Sequence, residues 1–301
     1  MKKGIFLILT VVSFSFVYAQ MEDETPIPPP LTVPWEVIEV SEFPGPVPYP
    51  VVKQSDVMWQ ITIWREIDLR EKRNHALYFP IEPLGCYKNL AQVIFDAIDM
   101  DNPDNENALP VYTNENCNIK VERSEIKNIL GNSRKIPKYD PETGEVIGET
   151  TIDDPFTAAQ VMFYRLKEVW FFDKNRGELN VRILEIEPFF ETEREASMGN
   201  DDNEVDMDLI KGKKRLGNIK YDELRPFLAQ QLYYIPNNAA LQITFDDVLT
   251  WKRYFSSYII AASDQHGREI QDKFKNPKDQ RIESEKIMEQ IRTYESELWE
   301  Y

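Results

Sequence analysis

The chain has 301 residues, with 35 Lys and Arg against 52 Asp and Glu, a formal net charge of −17. A charge of that sign repels nucleic acid and anionic lipid and permits docking to a basic protein partner. With two cysteines and two histidines, none in ligand-spaced clusters, a zinc centre is not expected.

Met1-Lys2-Lys3, the apolar run from Ile5 to Phe16 and the small residue Ala19 before Gln20 read as a secretory signal cleaved after Ala19. The run is shorter than the roughly 20 residues of a spanning helix. Gln20, not Cys, directly follows the cut, so the exported chain is expected to carry no lipid of its own, and with no later segment long and apolar enough to span it is expected to be soluble. Three segments are expected: a signal over 1–19, a Pro-rich extended arm over 20–53, and one mixed α+β domain over 54–301. The arm holds Pro26, Pro28, Pro29, Pro30, Pro34, Pro44, Pro46, Pro48 and Pro50. Proline at that density fixes φ and deletes amide donors, which excludes helix and central strand. Leu31, Val33, Trp35, Val37, Ile38, Val40, Phe43 and Tyr49 need a surface to pack on, so an arm that wraps its own core or a neighbouring subunit is favoured over a mobile linker.

The domain begins with Ser55 as the cap of a predicted helix through Asp56, Val57, Met58, Ile61 and Trp64. Leu90, Val93, Ile94, Ala97 and Ile98 fall at helical spacing and predict an amphipathic helix. An acidic loop over 99–107 and a short helix over 121–130, closed by Gly131, follow. Residues 139–147, with Pro141 and Gly144 punctuating the turn, predict a hairpin. Residues 155–169 read as mostly helical, and 179–190 as a strand. Residues 191–214 are polar and poor in apolar side chains, and read as a mobile loop. Strands are expected over 216–221 and 231–235, with a short helix over 222–229 limited by Pro226. Thr244-Phe245-Asp246-Asp247 resembles a capping box opening a helix with Val248, Leu249, Trp251, Phe255 and Tyr258. A last helix carries Ile282, Ile287, Ile291, Tyr294 and Leu298, and the closing Leu298-Trp299-Glu300-Tyr301 is expected to dock. Helices and strands mix without regular βαβ alternation, which points to α+β.

Little of this carries chemistry. His75 and His266 are expected on the surface or in packing. Cys86 and Cys117 either join in one disulfide or stay as two buried thiols; a Cys nucleophile paired with His75 is disfavoured. Asp99, Asp101, Asp104 and Glu106 depart from a calcium loop, because Pro103 takes a ligand slot and the turn glycine is missing; a solvated loop is the better reading. The same holds for Asp201, Asp202, Glu204, Asp206 and Asp208. Trp170, Phe171 and Phe172 are read as core or subunit interface before ligand cage. No catalytic, cofactor or metal residue is assigned.

Three blocks carry a resemblance. The first is Asp56-Val57-Met58-Trp59, then residues 64–72 (WREIDLREK), then Leu77-Tyr78-Phe79-Pro80. The second is residues 166–174 (LKEVWFFDK) followed by Val181-Arg182-Ile183. The third is Thr244-Phe245-Asp246-Asp247, then Phe255-Ser256-Ser257-Tyr258-Ile259, then Glu297-Leu298-Trp299-Glu300-Tyr301. In this order they resemble the gliding motility protein family GldN, called PorN in non-gliding relatives. Where that pattern has a Trp-rich strand, this chain has Asn218-Ile219-Lys220-Tyr221, which bears on local strand packing. The resemblance implies a non-enzymatic periplasmic subunit of the type IX secretion system. It also implies a ring built with an outer-membrane lipoprotein of GldK or PorK type, and contact with the periplasmic part of a GldL–GldM motor. The alternative is a periplasmic ligand-binding protein or hydrolase that shares the fold, without nucleic acid or a membrane span in either case.

Overall fold

The computed structural model describes residues 45–85, 87–99, 108–122, 125–126, 132–139, 146–154, 158–194, 210–235, 242–263 and 268–299. For 132–139, 146–154, 191–194, 210–212 and Trp299 the description is of the backbone. All of these residues belong to the unit Ile38–Tyr301. Val57, Trp59, Ile61 and Ile63 recur every second residue, and they build strand β1 over Val57–Asp68 where a helix was expected. The β-branched Ile61, Thr62 and Ile63 are stiff at χ1 and favour the pleated backbone, so period two overrides the weaker helical spacing.

Helix α1 is a single turn, His75–Tyr78, and α2 is the amphipathic helix Leu90–Ile98. Asn89 caps α2: its side chain accepts from the Gln92 amide, and Gln92 reaches back to the Asn89 amide. The same two side chains donate to the carbonyls of Pro80 and Ile81, so the cap also fastens the preceding loop. Of the predicted helix over 121–130, residues 125 and 126 are helical, and the Ile126 amide donates to Glu122. Residues 123–124 and 127–131 lie outside the described residues. Strands β2, Asn132–Tyr139, and β3, Val146–Asp154, pair antiparallel with Tyr139 opposite Val146, on either side of the predicted turn, whose residues 140–145 lie outside the described residues. This ribbon is a sheet of its own.

Residues 155–169 are a second correction. A short 3-10 turn, Ala158–Gln160, leads into strand β4, Val161–Asp173, not into a helix. β4 is buried on both faces, with Phe163, Tyr164, Leu166, Trp170, Phe171 and Phe172 all in the interior. A central strand covered twice loses its alternation in sequence and reads like a buried helix. Strand β5 runs over Glu178–Arg194 and β6 over Ile210–Arg215, so both ends of the expected polar loop are strand. Strand β7 is the pair Ile219–Lys220, shorter than predicted, and α3 follows over Tyr221–Gln230 with Pro226 inside it. Residues 231–235 make one bridge, Leu232 to Thr244, in place of a full strand. The capping box is present: the Thr244 amide donates to Asp247 Oδ2 at 3.1 Å and the Asp247 amide to Thr244 Oγ1 at 3.2 Å. The helix it opens is a π-helical turn, Asp247–Lys252, ending at Arg253. Phe255 lies beyond it, and Tyr258 opens strand β8, Tyr258–Ala262. Helices α4, Ile270–Lys273, and α5, Pro277–Trp299, complete the chain. Leu298 is half-buried; Glu300 and Tyr301 lie outside the described residues.

The main sheet has the order β6-β5-β4-β1-β8, its ladders antiparallel, with β7 also on β5. The fold is α+β. Two apolar clusters sit on it. One gathers Ile67, Tyr164, Leu166, Ile183 and Ile186 beneath α2, α3 and the π turn. The other gathers Ile61, Ile63, Trp170, Ile259 and Ala262 beneath α4 and α5, through Ile270, Ile287 and Ile291.

Gly217 shows how tightly the first cluster closes. Its φ is +127°, and a Cβ there would lie 2.7 Å from Val111 Cγ1 and 2.8 Å from the Tyr112 carbonyl oxygen. Both strain and contact oppose any side chain. Gly217→Ala is therefore expected to lower stability by about 2 kcal/mol or more in urea unfolding; an unchanged midpoint would refute this account of the loop.

Candidate functional site

Three polar constellations stand out because each is built on buried carboxylates, Glu168, then Glu66, Glu185 and Glu187, then Asp246. The first lies between the two apolar clusters. Ile63 faces Glu168 across the β1–β4 ladder and Arg65 faces Leu166, so Arg65 and Glu168 are diagonal neighbours. Glu168 is 0 % exposed. It accepts from Arg253 Nη2 at 2.7 Å and from the Trp170 indole at 2.8 Å, with Arg65 Nη1 at 4.0 Å. Both guanidiniums lie near the Trp170 ring, at 5.8 and 5.7 Å from its centroid. Arg253 reaches in from a left-handed backbone conformation, φ +49°, at the end of the π turn. Burial lowers the pKa of Arg65 from the ordinary arginine value, Glu168 opposes that, and Arg253 adds to it.

The second constellation covers the other face of the sheet. Register aligns Trp64, Lys167 and Glu185 in one row across β1, β4 and β5, and Glu66, Arg165 and Glu187 in the next. Lys167 Nζ lies 2.9 Å from Glu185, Arg165 lies 3.1 Å from Glu269, and Arg215 of β6 lies 3.5 Å from Glu187. Glu66 accepts from the Tyr258 hydroxyl and from Lys213 Nζ, the latter at 2.7 Å. Lys213 belongs to β6, and both β5 and β4 stand between it and Glu66 in the sheet order. Only a sheet curled toward this face brings them together. Burial raises the pKa values of Glu185 and Glu187 above the ordinary glutamate value, against the pull of Lys167 in one case and of Arg165 and Arg215 in the other.

The third constellation fastens the end of the Pro-rich segment. Residues 45–52 are in neither helix nor strand. Arg225 Nη2 donates to the Val47 carbonyl at 2.6 Å and Arg182 Nη2 to the Pro50 carbonyl at 2.7 Å. The Tyr49 ring lies between them, 4.1 Å from the Arg225 guanidinium and 5.1 Å from that of Arg182. Arg225 is itself held by Asp246 through two bonds of 2.9 Å, and Asp246 accepts from Thr250. Burial opposes the charge of Arg225, yet Asp246 outweighs it and holds its pKa above the ordinary value. This part of the arm wraps its own core.

The residues singled out in the sequence are scattered. His75 is exposed on α1, with Nε2 3.3 Å from the Arg70 carbonyl and its ring edge-on to Phe79. Cys117 is a free, buried thiol whose pKa burial pushes up to about 11; Cys86 and His266 lie outside the described residues. Asp99 closes α2 in a left-handed conformation. Asp101, Asp104, Glu106 and the acidic group over 201–208 lie outside the described residues. Among the described residues no group of three or more His, Cys, Asp or Glu is placed to hold a metal ion. Trp170, Phe171 and Phe172 are buried in the sheet, as a core reading requires. The buried carboxylates Glu66, Glu168, Glu185 and Glu187 were not singled out in the sequence. The alternation of charge with aromatics in 64–68 and 163–170 was the available signal.

What these arrangements do is hold strands, segments and helices in fixed register. Removing Glu168 leaves two buried guanidiniums without their carboxylate, so Glu168→Ala is expected to lose about 3–5 kcal/mol in chemical unfolding; a loss below 1 kcal/mol, the scale of an exposed pair, would contradict that role. A group whose folded pKa is raised binds its proton more tightly when folded. Its contribution to stability is full below the unfolded value and lost as pH rises through the folded one. Glu187→Gln should therefore gain stability relative to wild type between about pH 4 and pH 7. A difference that stays flat across that range would show that Glu187 is not disfavoured as an anion.

The family model described as gliding motility associated protein GldN matches residues 52–300. No curated protein matches the chain.

Proposed function

The chain belongs to the GldN family of gliding-motility-associated proteins, and on that premise we propose that it is a non-catalytic structural subunit of the type IX secretion and gliding machinery. The family match over residues 52–300 carries this reading. In it, the chain is exported by a signal cleaved after Ala19 and works in the periplasm. It assembles with copies of itself and with an outer-membrane lipoprotein of GldK or PorK type. It also touches the periplasmic domain of a GldM or PorM-type motor protein, and so couples motor motion to the translocon.

The physical character of the body supports such a role. A body that passes force between neighbours must resist shear, and the cross-strand ion rows, the Glu168 cluster and the clasp on residues 47–50 tie sheet, helices and arm together. Among the described residues no helix is long and apolar enough to cross a membrane, and a lipoprotein partner supplies the tether in this reading. Head-to-tail contacts between identical subunits close into rings when their rotation permits.

The test is affinity capture of the native protein from gently solubilised envelopes after crosslinking in cells, read by mass spectrometry. The reading expects an outer-membrane lipoprotein and motor components in one very large particle. Recovery as a monomer with no envelope partner would overturn it in favour of a ligand-binding protein or hydrolase.

A further inference from the structure

Among the described residues the sheets end in β6, β8 and the two-residue β7, beside which Asn218 bridges to Tyr112, and in β2 and β3 of the ribbon. An end strand leaves a row of backbone donors and acceptors unpaired unless something covers it. The outer side of β8 is covered, because the Ile259 amide donates to Ser284 of α5 at 2.8 Å and Ala261 bridges to Glu269. β2 is interrupted by Pro137, which stands opposite Glu149. A proline within a ladder turns its nitrogen away from its partner strand, so the outer side of β2 lacks a donor there. Among the described residues, β6 is left open along its length and β3 from Gly148 onward, past a bulge at Ile147.

Their charges are opposite. β6 carries Lys211, Lys213, Lys214 and Arg215 and no acid; β3 carries Glu149, Asp153 and Asp154 and no base. Lys213 and Arg215 are engaged inside the subunit by Glu66 and Glu187. The ladder already alternates in charge as it approaches this edge: Glu191 stands opposite Lys213, and Glu193 opposite Lys211. An acidic strand is the next term of that alternation. We propose that β3 of one copy of this chain adds to the open edge of β6 of the next, joining the ribbon of each subunit to the sheet of its neighbour.

The pairing is selective. β6 against β6 would align four cations with four, and β3 against β3 three anions with three; like charges across a ladder are destabilising. Two-fold pairing through either edge is thereby disfavoured and head-to-tail pairing favoured, the arrangement that builds rings. The six residues of β6 span about 20 Å, within the length of β3 from Gly148 to Asp154. A lone two-stranded ribbon is marginal in water, and an added sheet edge stabilises it. The proposal rests on the assembly reading above and names the surface that performs it.

Register also supplies the test. Residues directly opposite in an antiparallel ladder either bond to each other or both point outward. Since Pro137 points outward, so does the backbone of Glu149, and by period two that of Thr151 and Asp153. Thr151→Pro therefore removes a donor from the open edge and none from the ribbon. Full-length wild type, T151P, the β3 reversal D153K, the β6 reversal K211E and the combined two-site variant are expressed in the native envelope and their extracted particles sized. Purified variants are checked for an unchanged circular dichroism spectrum and melting temperature. The expected result is loss of the large particle in T151P and in each reversal alone, with recovery in the combined variant. Undiminished particles in all variants would overturn the strand pairing and leave the assembly reading standing. A monomeric wild type would overturn both.

Discussion

A carboxylate with no access to water sits where the two halves of this fold meet. Glu168 stands on the central strand between the apolar cluster under α2 and α3 and the one under α4 and α5. Left alone it would cost several kcal/mol of lost hydration. Arg65 from β1, Arg253 from the end of the π turn and the Trp170 indole all converge on it. Because each comes from a different part of the chain, satisfying one buried charge fixes β1, β4 and the segment leading into β8 together. Arg253 reaches it from the left-handed position that closes the π turn.

The opposite face repeats the logic with more partners. Its rows of acid, base and aromatic side chains are set by register, and a slip of one residue would place every pair on the wrong side. The reach of Lys213 across two strands to Glu66 draws β6 inward and curls the sheet. Curling leaves the outer backbone of β6 at the rim, where the ribbon of another copy is proposed to meet it. Charge therefore serves twice in this molecule: buried, it holds the body in one shape; along the open edges, it selects which surfaces can pair.

Local patterns in the chain were readable where one face meets water. α2, α5, the antiparallel strands flanking the predicted turn, β5 and the Thr244–Asp247 capping box were expected from spacing and are present. β1 and β4 were expected as helices. Phe163, Leu166 and Trp170 fall three and seven residues apart on β4, and Ile61 with Trp64 three apart on β1, so both strands imitate helical spacing. β6 looked like loop because an edge strand rich in Lys resembles one. The buried glutamates escaped notice because a chain with 52 acidic residues gives no local sign of which ones long-range pairing will bury. The clasp on Tyr49 was half legible: an aromatic among prolines announces a docking point, while Arg182 and Arg225 lie far away in sequence.

The central claim is that this chain repeats within a closed assembly and uses its rigid body as a building block. Electron microscopy of particles released from the envelope, with an antibody to this chain marking its positions, addresses that claim most directly. The account predicts closed rings carrying the label at regular intervals around the whole circumference. Label found on isolated single bodies, or at one unique position of a larger particle, would contradict it.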